Sequence, residues 1–204
     1  LDIIKKKKFD ELKELLKKNL PKNPIIFDVG ANNGETIEKY CKIFENPTIH
    51  SFEPNKNSYE KTKSKFFNKK NIFVNNLGLG EKKEEKEFNI TAKSSNSSFI
   101  NINPNTKWLR KRSEQHNTSM KGYVVEKKMV QIDTLDHYVS ENQIHKIDLL
   151  KIDTQGYEDK VLKGSLETIK KNKIGIILTE IMFDDVYDKY FSFSDLEQFL
   201  IPWD

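Results

Sequence analysis

The chain has 204 residues, 36% of them hydrophobic, enough for one domain with a real core. A formal net charge of +4 over 35 basic and 31 acidic residues reads as a generally solvated surface, so nucleic acid is an unlikely partner. The sequence has no apolar run of the roughly 18 residues that a membrane span needs, its Lys5–Lys8 run stands on the wrong side of a short apolar patch for a signal peptide, and its lone cysteine, Cys41, excludes an internal disulfide framework, so the cytoplasm is the expected compartment.

The first 22 residues are expected to be mainly helix. Over Lys8 to Asn19, Phe9, Leu12, Leu15 and Leu16 fall on one stripe, and Pro21 and Pro24 stop the helix. Ile25 to Val29 is a short β-branched apolar run, the pattern of a central parallel strand. Gly30-Ala31-Asn32-Asn33-Gly34 follows as a tight turn, and Glu35 and Thr36 open a helix whose apolar stripe is Ile37, Tyr40, Cys41 and Phe44. On that stripe Cys41 reads as a structural thiol.

A strand, glycine turn and helix make a crevice where ligands bind in open α/β sheets. The spacing is not that of a dinucleotide fingerprint, since Asn32 stands where a second glycine would admit a pyrophosphate. Asp28 at the strand's mouth suits a ligand with an ammonium or sulfonium, such as S-adenosylmethionine (SAM). A dinucleotide and an ordinary β-turn-α corner remain alternatives at this point.

Thr48 to Phe52 reads as a second strand, closed by Glu53, whose carboxylate is placed to accept both hydroxyls of a ribose. Tyr59, Phe66 and Phe67 mark the next helix. Asn71 to Asn76 is a third strand, and the amides of Asn75 and Asn76 stand where an adenine would lie, although turn chemistry accounts for them equally. Glu81 to Glu87 reads as a charged turn and Glu87 to Thr91 as an added strand.

Residues 92–123 form an irregular insertion, either a lid over the crevice or partly disordered. It holds Ser94, Ser95, Ser97 and Ser98, then Trp108 and the basic patch Lys107 to Arg112. Loops on a rigid scaffold commonly carry specificity, so Ser97 is a candidate acceptor contact. Val124 to Ile132 returns to strand, and Asp133 is the expected N-cap of a short helix.

Asp148 to Glu158 repeats the strand, turn and helix pattern. Asp153 ends the strand, and Gly156 and Glu158 stand at the helix start. Ordinary roles also exist for both acids, an N-cap for Asp153 and dipole complementation for Glu158. Ile174 to Ile181 is a further strand carrying Glu180, and a last helix begins near Ser194 and Asp195.

The segments FDVGANNGET, SFEP, NNLGLGE, QIDTLDHYVSENQIHKIDLLKIDTQGYEDKVLKG and TEI together resemble the FkbM family of SAM-dependent methyltransferases. The resemblance implies the class I methyltransferase fold, a Rossmann-like, doubly wound, mostly parallel α/β sheet with helices on both faces. It implies SAM bound by Asp28, Gly30, Asn32, Gly34 and Glu53, with Asp153 beside the methyl donor. It also implies transfer to a hydroxyl of a sugar or natural product. Thr36 and Asn76 join the candidate cofactor residues. The family's fold continues with two more strands, so this single domain is expected to be incomplete at its C-terminal end.

An alcohol acceptor loses its proton during attack, so a base in reach helps. His50 and His145 are expected before strands, at the wrong end of the sheet, and His137 in a connecting helix, leaving His116 as the one histidine able to reach. Asp153 is therefore the expected base or positioning group, with Glu158 and Glu180 as acceptor-binding carboxylates. A metal on these three acids is conceivable by donor type, but none is expected. The rivals are a nucleic-acid methyltransferase using the basic patch and a non-catalytic binding module.

Overall fold

Helices and strands alternate along the chain in a computed structural model that describes residues 2–182, 185–188 and 191–203, with side chains from Asp10 onward. Helix α1 spans Asp2–Asn19, earlier than expected; of its stripe Leu16 is buried and Leu15 exposed, and the Phe9 side chain lies outside the described residues. Strand β1 (Ile25–Val29), helix α2 (Glu35–Ile43), strand β2 (Thr48–Phe52), helix α3 (Lys56–Lys65) and strand β3 (Ile72–Asn75) follow. Then come β4 (Gly78–Leu79), β5 (Glu84–Thr91), α4 (Lys107–Gln115), β6 (Val124–Asp133), α5 (Leu135–Glu141) and β7 (Ile147–Ile152). The last elements are α6 (Glu158–Lys163), α7 (Leu166–Lys170), β8 (Ile174–Thr179) and α8 (Phe193–Leu200). No described helix is long and apolar enough to cross a membrane.

Five strands form a parallel sheet in the order β3-β2-β1-β7-β8. Its central strands are apolar on both sides because both faces are covered. Phe27 and Val29 pack with Phe52, Leu135, Leu150 and Leu162 on one face, and Ile26 packs with Ile37, Tyr40, Ile49 and Leu149 on the other. The strand order reverses between β1 and β7, which opens a crevice beyond their C-terminal ends. This is the expected doubly wound α/β fold.

A second sheet, ordered β4-β6-β5, stands beside the crevice, with Phe88, Ile90, Phe99, Ile132 and Tyr157 in its apolar layer. Strand β5 begins at Glu84 rather than Glu87, because Glu84 to Glu87 already pair with β6. The insertion is ordered: Ser94–Asn96 make a 3-10 turn, Thr106 caps α4, and Tyr123 is fully buried.

Helix α8 starts where expected, with Ser192 capping it in a reciprocal capping box with Asp195. Three smaller expectations are corrected. Helix α3 ends at Lys65, so Phe66 caps it, Phe67 lies past it and is exposed, and the helix itself buries Ser58 and Thr62. Thr134, not Asp133, caps α5, accepting from the His137 N–H, while Asp133 pairs with the His137 ring. His50 lies within β2, buried against Phe73 and hydrogen-bonded to Tyr138; burial pulls its ring down to about 4, so it stays neutral near pH 7.

Candidate active site

The turn after β1 sets the cleft floor. Gly30 has φ of 84°, and a methyl there would collide with the Asp153 carbonyl, so the loops after β1 and β7 meet with nothing between them. Asn32, also left-handed at φ 45°, is clamped by Ser58, which donates to its side chain, and by Thr62, which donates to its carbonyl. The Asn32 N–H donates to Glu53 Oε2 at 2.7 Å, and the Asn55 N–H donates to Glu53 Oε1 at 2.8 Å. A carboxylate has about four lone-pair directions. Two are used by the backbone, and the others remain for a ligand. Burial pushes Glu53 up to about 7 despite its two N–H partners.

A narrow cavity runs from this turn along Gly30, Asn32 and Glu53 to Gly78, Leu79, Phe88 and Phe99, and is lined also by Ser97 and Asp153. One end is lined by polar groups and the other by the apolar side chains of Leu79, Phe88 and Phe99. Sequence reasoning missed the apolar end, because Phe88 and Phe99 lie in the added strand and the insertion, and only the fold brings them to the cleft. At Gly78 a methyl would strike the Phe99 ring.

Ser95, Asp153 and Gln155 line this cavity and a second one beside it. The second has about 400 Å³ and is lined also by Asn96, Trp108, Arg112 and Glu180. Gln155 organises the junction. Its Nε2 donates to Asp153 Oδ1 at 2.8 Å and to Glu180 Oε2 at 2.7 Å, while its own side-chain oxygen accepts from Tyr187 at 3.2 Å. Glu180 is exposed on this wall, yet partial desolvation there, with the charge of Asp153 added to it, raises it to about 7. The basic patch lies on α4, and its aromatic residue faces inward: Trp108 meets Tyr123 edge-on at 5.9 Å, and the Arg112 guanidinium lies 5.6 Å from its ring.

Several expected contacts are absent. The Asp28 carboxylate is fully buried and lines neither cavity; it pairs with Lys151 Nζ at 3.0 Å, and neither oxygen takes a well-directed hydrogen bond. Burial opposes the Lys151 charge, but Asp28 and Asp153 outweigh it and hold the ammonium above the ordinary lysine range. Gly34 is sealed under Thr62 and Phe66, and Thr36 lies in the first turn of α2 outside the cleft. Asn76 spends its amide on the Glu53 and Pro54 carbonyls, so it braces the loop and is not turned to a base.

Glu158 accepts from the N–H groups of Thr154 and Gly156 and from the Thr154 hydroxyl, so it clamps its own turn and faces neither cavity. Ser97 lines the first cavity rather than the second and accepts from the Thr91 N–H. Asp153 lines both cavities and Glu180 the second. Among the described residues no three His, Cys, Asp or Glu side chains are grouped to hold a metal ion. His116 ends α4 and lines neither cavity.

Residues 28–203 match the family described as the methyltransferase FkbM domain. The 2-O-methyltransferase NoeI of Sinorhizobium fredii is 21% identical over 168 residues, covering 81% of this chain and 66% of that protein. The crystal structure of methyltransferase FkbM from Methylobacillus flagellatus aligns with a TM-score of 0.58 at 13% identity, a likeness of fold, over 89% of this chain. This chain spans just under two thirds of NoeI and 38% of the Methylobacillus chain.

Proposed function

The chain belongs to the FkbM methyltransferase family, and from that membership we propose that it binds SAM in the Glu53 cleft and moves the methyl group to a hydroxyl of a small-molecule or glycan acceptor held beside Asp153. The observation that supports the reading is that Asp153 and Gln155 line two adjacent cavities, one running past Glu53 to Leu79, Phe88 and Phe99 and the other more polar. The residues fit the cofactor. Glu53 keeps lone pairs for a ribose diol, Gly30 and Asn32 line the cavity beside it, and Leu79, Phe88 and Phe99 offer an apolar wall for an adenine.

SAM, when bound, supplies a methyl group on a sulfonium, an electrophile that needs alignment more than activation. The chain's part is to orient and to take a proton. Gln155 fixes Asp153 and Glu180 on one donor, so either carboxylate is held toward the second cavity. With Glu180 raised to about 7, the pair still carries a proton in mild acid and gives it up near neutrality. Above that pH it is ready to accept the acceptor's hydroxyl proton. The buried Lys151 ties β1 to the loop after β7 through Asp28 at 3.0 Å and Asp153 at 3.5 Å, which steadies the junction.

Calorimetry tests the reading. SAM is expected to bind and NAD is not, because no second glycine admits a pyrophosphate. Glu53→Ala removes the diol's acceptor and should weaken SAM by roughly a hundredfold, the worth of about two charge-assisted hydrogen bonds. No measurable SAM binding by the unaltered chain would sink the proposal.

A further inference from the structure

We infer that the outer edge of β6 docks a second copy of this chain, edge to edge, about a two-fold axis at Lys127. Strand β6 has β5 along one side from Val124 to Ile132, but on the other side β4 covers only Ile132 and Asp133. Among the described residues, no strand pairs with Val125 to Gln131 on that second side. An unpaired edge of this length is a template for another strand.

The backbone shows which groups are free. Asn89, opposite Lys127, exchanges both of its backbone hydrogen bonds with Ser98, at 2.9 and 3.1 Å, on the side away from β6. In an antiparallel ladder such a residue belongs to a non-hydrogen-bonded pair, so Lys127 also turns its N–H and C=O outward. Alternation gives Met129 and Gln131 the same direction. The Asp133 carbonyl confirms the phase, since it accepts from Gly80 on that outer side at 2.9 Å.

The side chains then select the partner and the register. With Lys127 on the axis, Glu126 and Lys128, which already meet within each chain at 3.0 Å, face their opposites in the other copy twice, and Val125, the extra residue where the β5–β6 register shifts, faces Met129 twice. Val125 and Met129 are 59% and 61% exposed, unusual for two apolar residues on one strand face. The central lysines would repel each other, but each already has its own Glu87 at 2.7 Å. Moving the axis to Lys128 sets Glu126 opposite Val130, and moving it to Met129 sets Glu126 opposite Ile132; either shift keeps the Glu126–Lys128 pair within each chain at 3.0 Å but makes no charge pair between the copies. Of these three registers, the one centred on Lys127 matches both charge and apolar surface, as a two-fold interface requires.

Sedimentation velocity and amide exchange on the 204-residue chain test this. The expected result is a monomer–dimer equilibrium across the micromolar range, with the Lys127 and Met129 amides gaining protection as concentration rises. Glu126→Lys and Lys128→Glu should each weaken the dimer by about tenfold, from two like-charge contacts. Combining them should restore it, because the pairing is reversed and intact. Circular dichroism of each variant checks that the monomer is folded. A chain that stays monomeric with those amides exchanging freely would overturn the proposal, and so would a dimer indifferent to the single charge reversals.

Discussion

At the scale of single residues, Glu180 carries the sharpest expectation. Partial desolvation at an otherwise exposed position, and then the charge of Asp153, push it from an ordinary 4.5 to about 7. A carboxyl group raised in this way favours the fold below pH 4.5, and that contribution is lost as pH rises through about 7. Glu180→Gln should therefore make the ligand-free protein relatively more stable than the parent at pH 8, as read by thermal melts at two pH values. If Asp153 and Glu180 act as the base, the parent's kcat should climb through about pH 7 and level off above it, and the variant should lose that limb. A profile unchanged by the substitution would leave Glu180 a positioning group only.

At the scale of elements, the two glycines of the first turn have different tasks that a substitution separates. Gly34→Ala should cost about 1–3 kcal/mol of stability, because a methyl meets Phe66 and Thr62 at a positive φ, yet the folded fraction should bind SAM normally. Gly30→Ala should lose both, since it drives apart the two loops that make the cleft. Melts beside calorimetry distinguish the cases. This difference was not legible in the sequence. The string from Ile25 to Gly34 gives the strand and the turn, because five apolar-rich residues followed by glycine have few other solutions. What covers Gly34 comes from α3, another element, and local spacing is silent about it. Helix α4 was missed for a related reason: its burial rests on Leu109 and Ser113, too little apolar periodicity to read through a run of lysine and arginine. The burial of Asp28 against Lys151 was not read from the sequence although a signal existed. Lys151 is a charge inside the apolar strand Ile147–Ile152, and a charge there needs a partner; register sets it beside Asp28.

That pairing yields an expectation of its own, since it joins the two central strands. Lys151→Met leaves Asp28 buried without a counter-charge and should cost about 3–5 kcal/mol. Adding Asp28→Asn should recover much of the loss, which a double-mutant cycle measures by denaturant melts. Strict additivity of the two changes would show that the ion pair does not bind β1 to β7.

For the whole molecule, the crevice exists because the strand order reverses between β1 and β7, and the β4-β6-β5 sheet and the insertion wall it in. The ligand would thus bridge parts of the chain that otherwise touch only through loops: the Gly30 turn, Glu53 after β2, and the Phe88 and Phe99 side chains. A molecule bound across them stabilises the entire fold by mass action, about 2.7 kcal/mol at a hundred times its Kd. For a chain of this length that is a rise in Tm of roughly 5–10 °C. SAM should produce the rise, NAD should not, and Glu53→Ala should abolish it without lowering the ligand-free Tm to the same extent. The measurement also separates the enzyme from a non-catalytic module. Both predict the shift, but only the enzyme turns SAM over in the presence of a hydroxylated acceptor, and only in the enzyme does Glu180→Gln change the rate while leaving the shift in place.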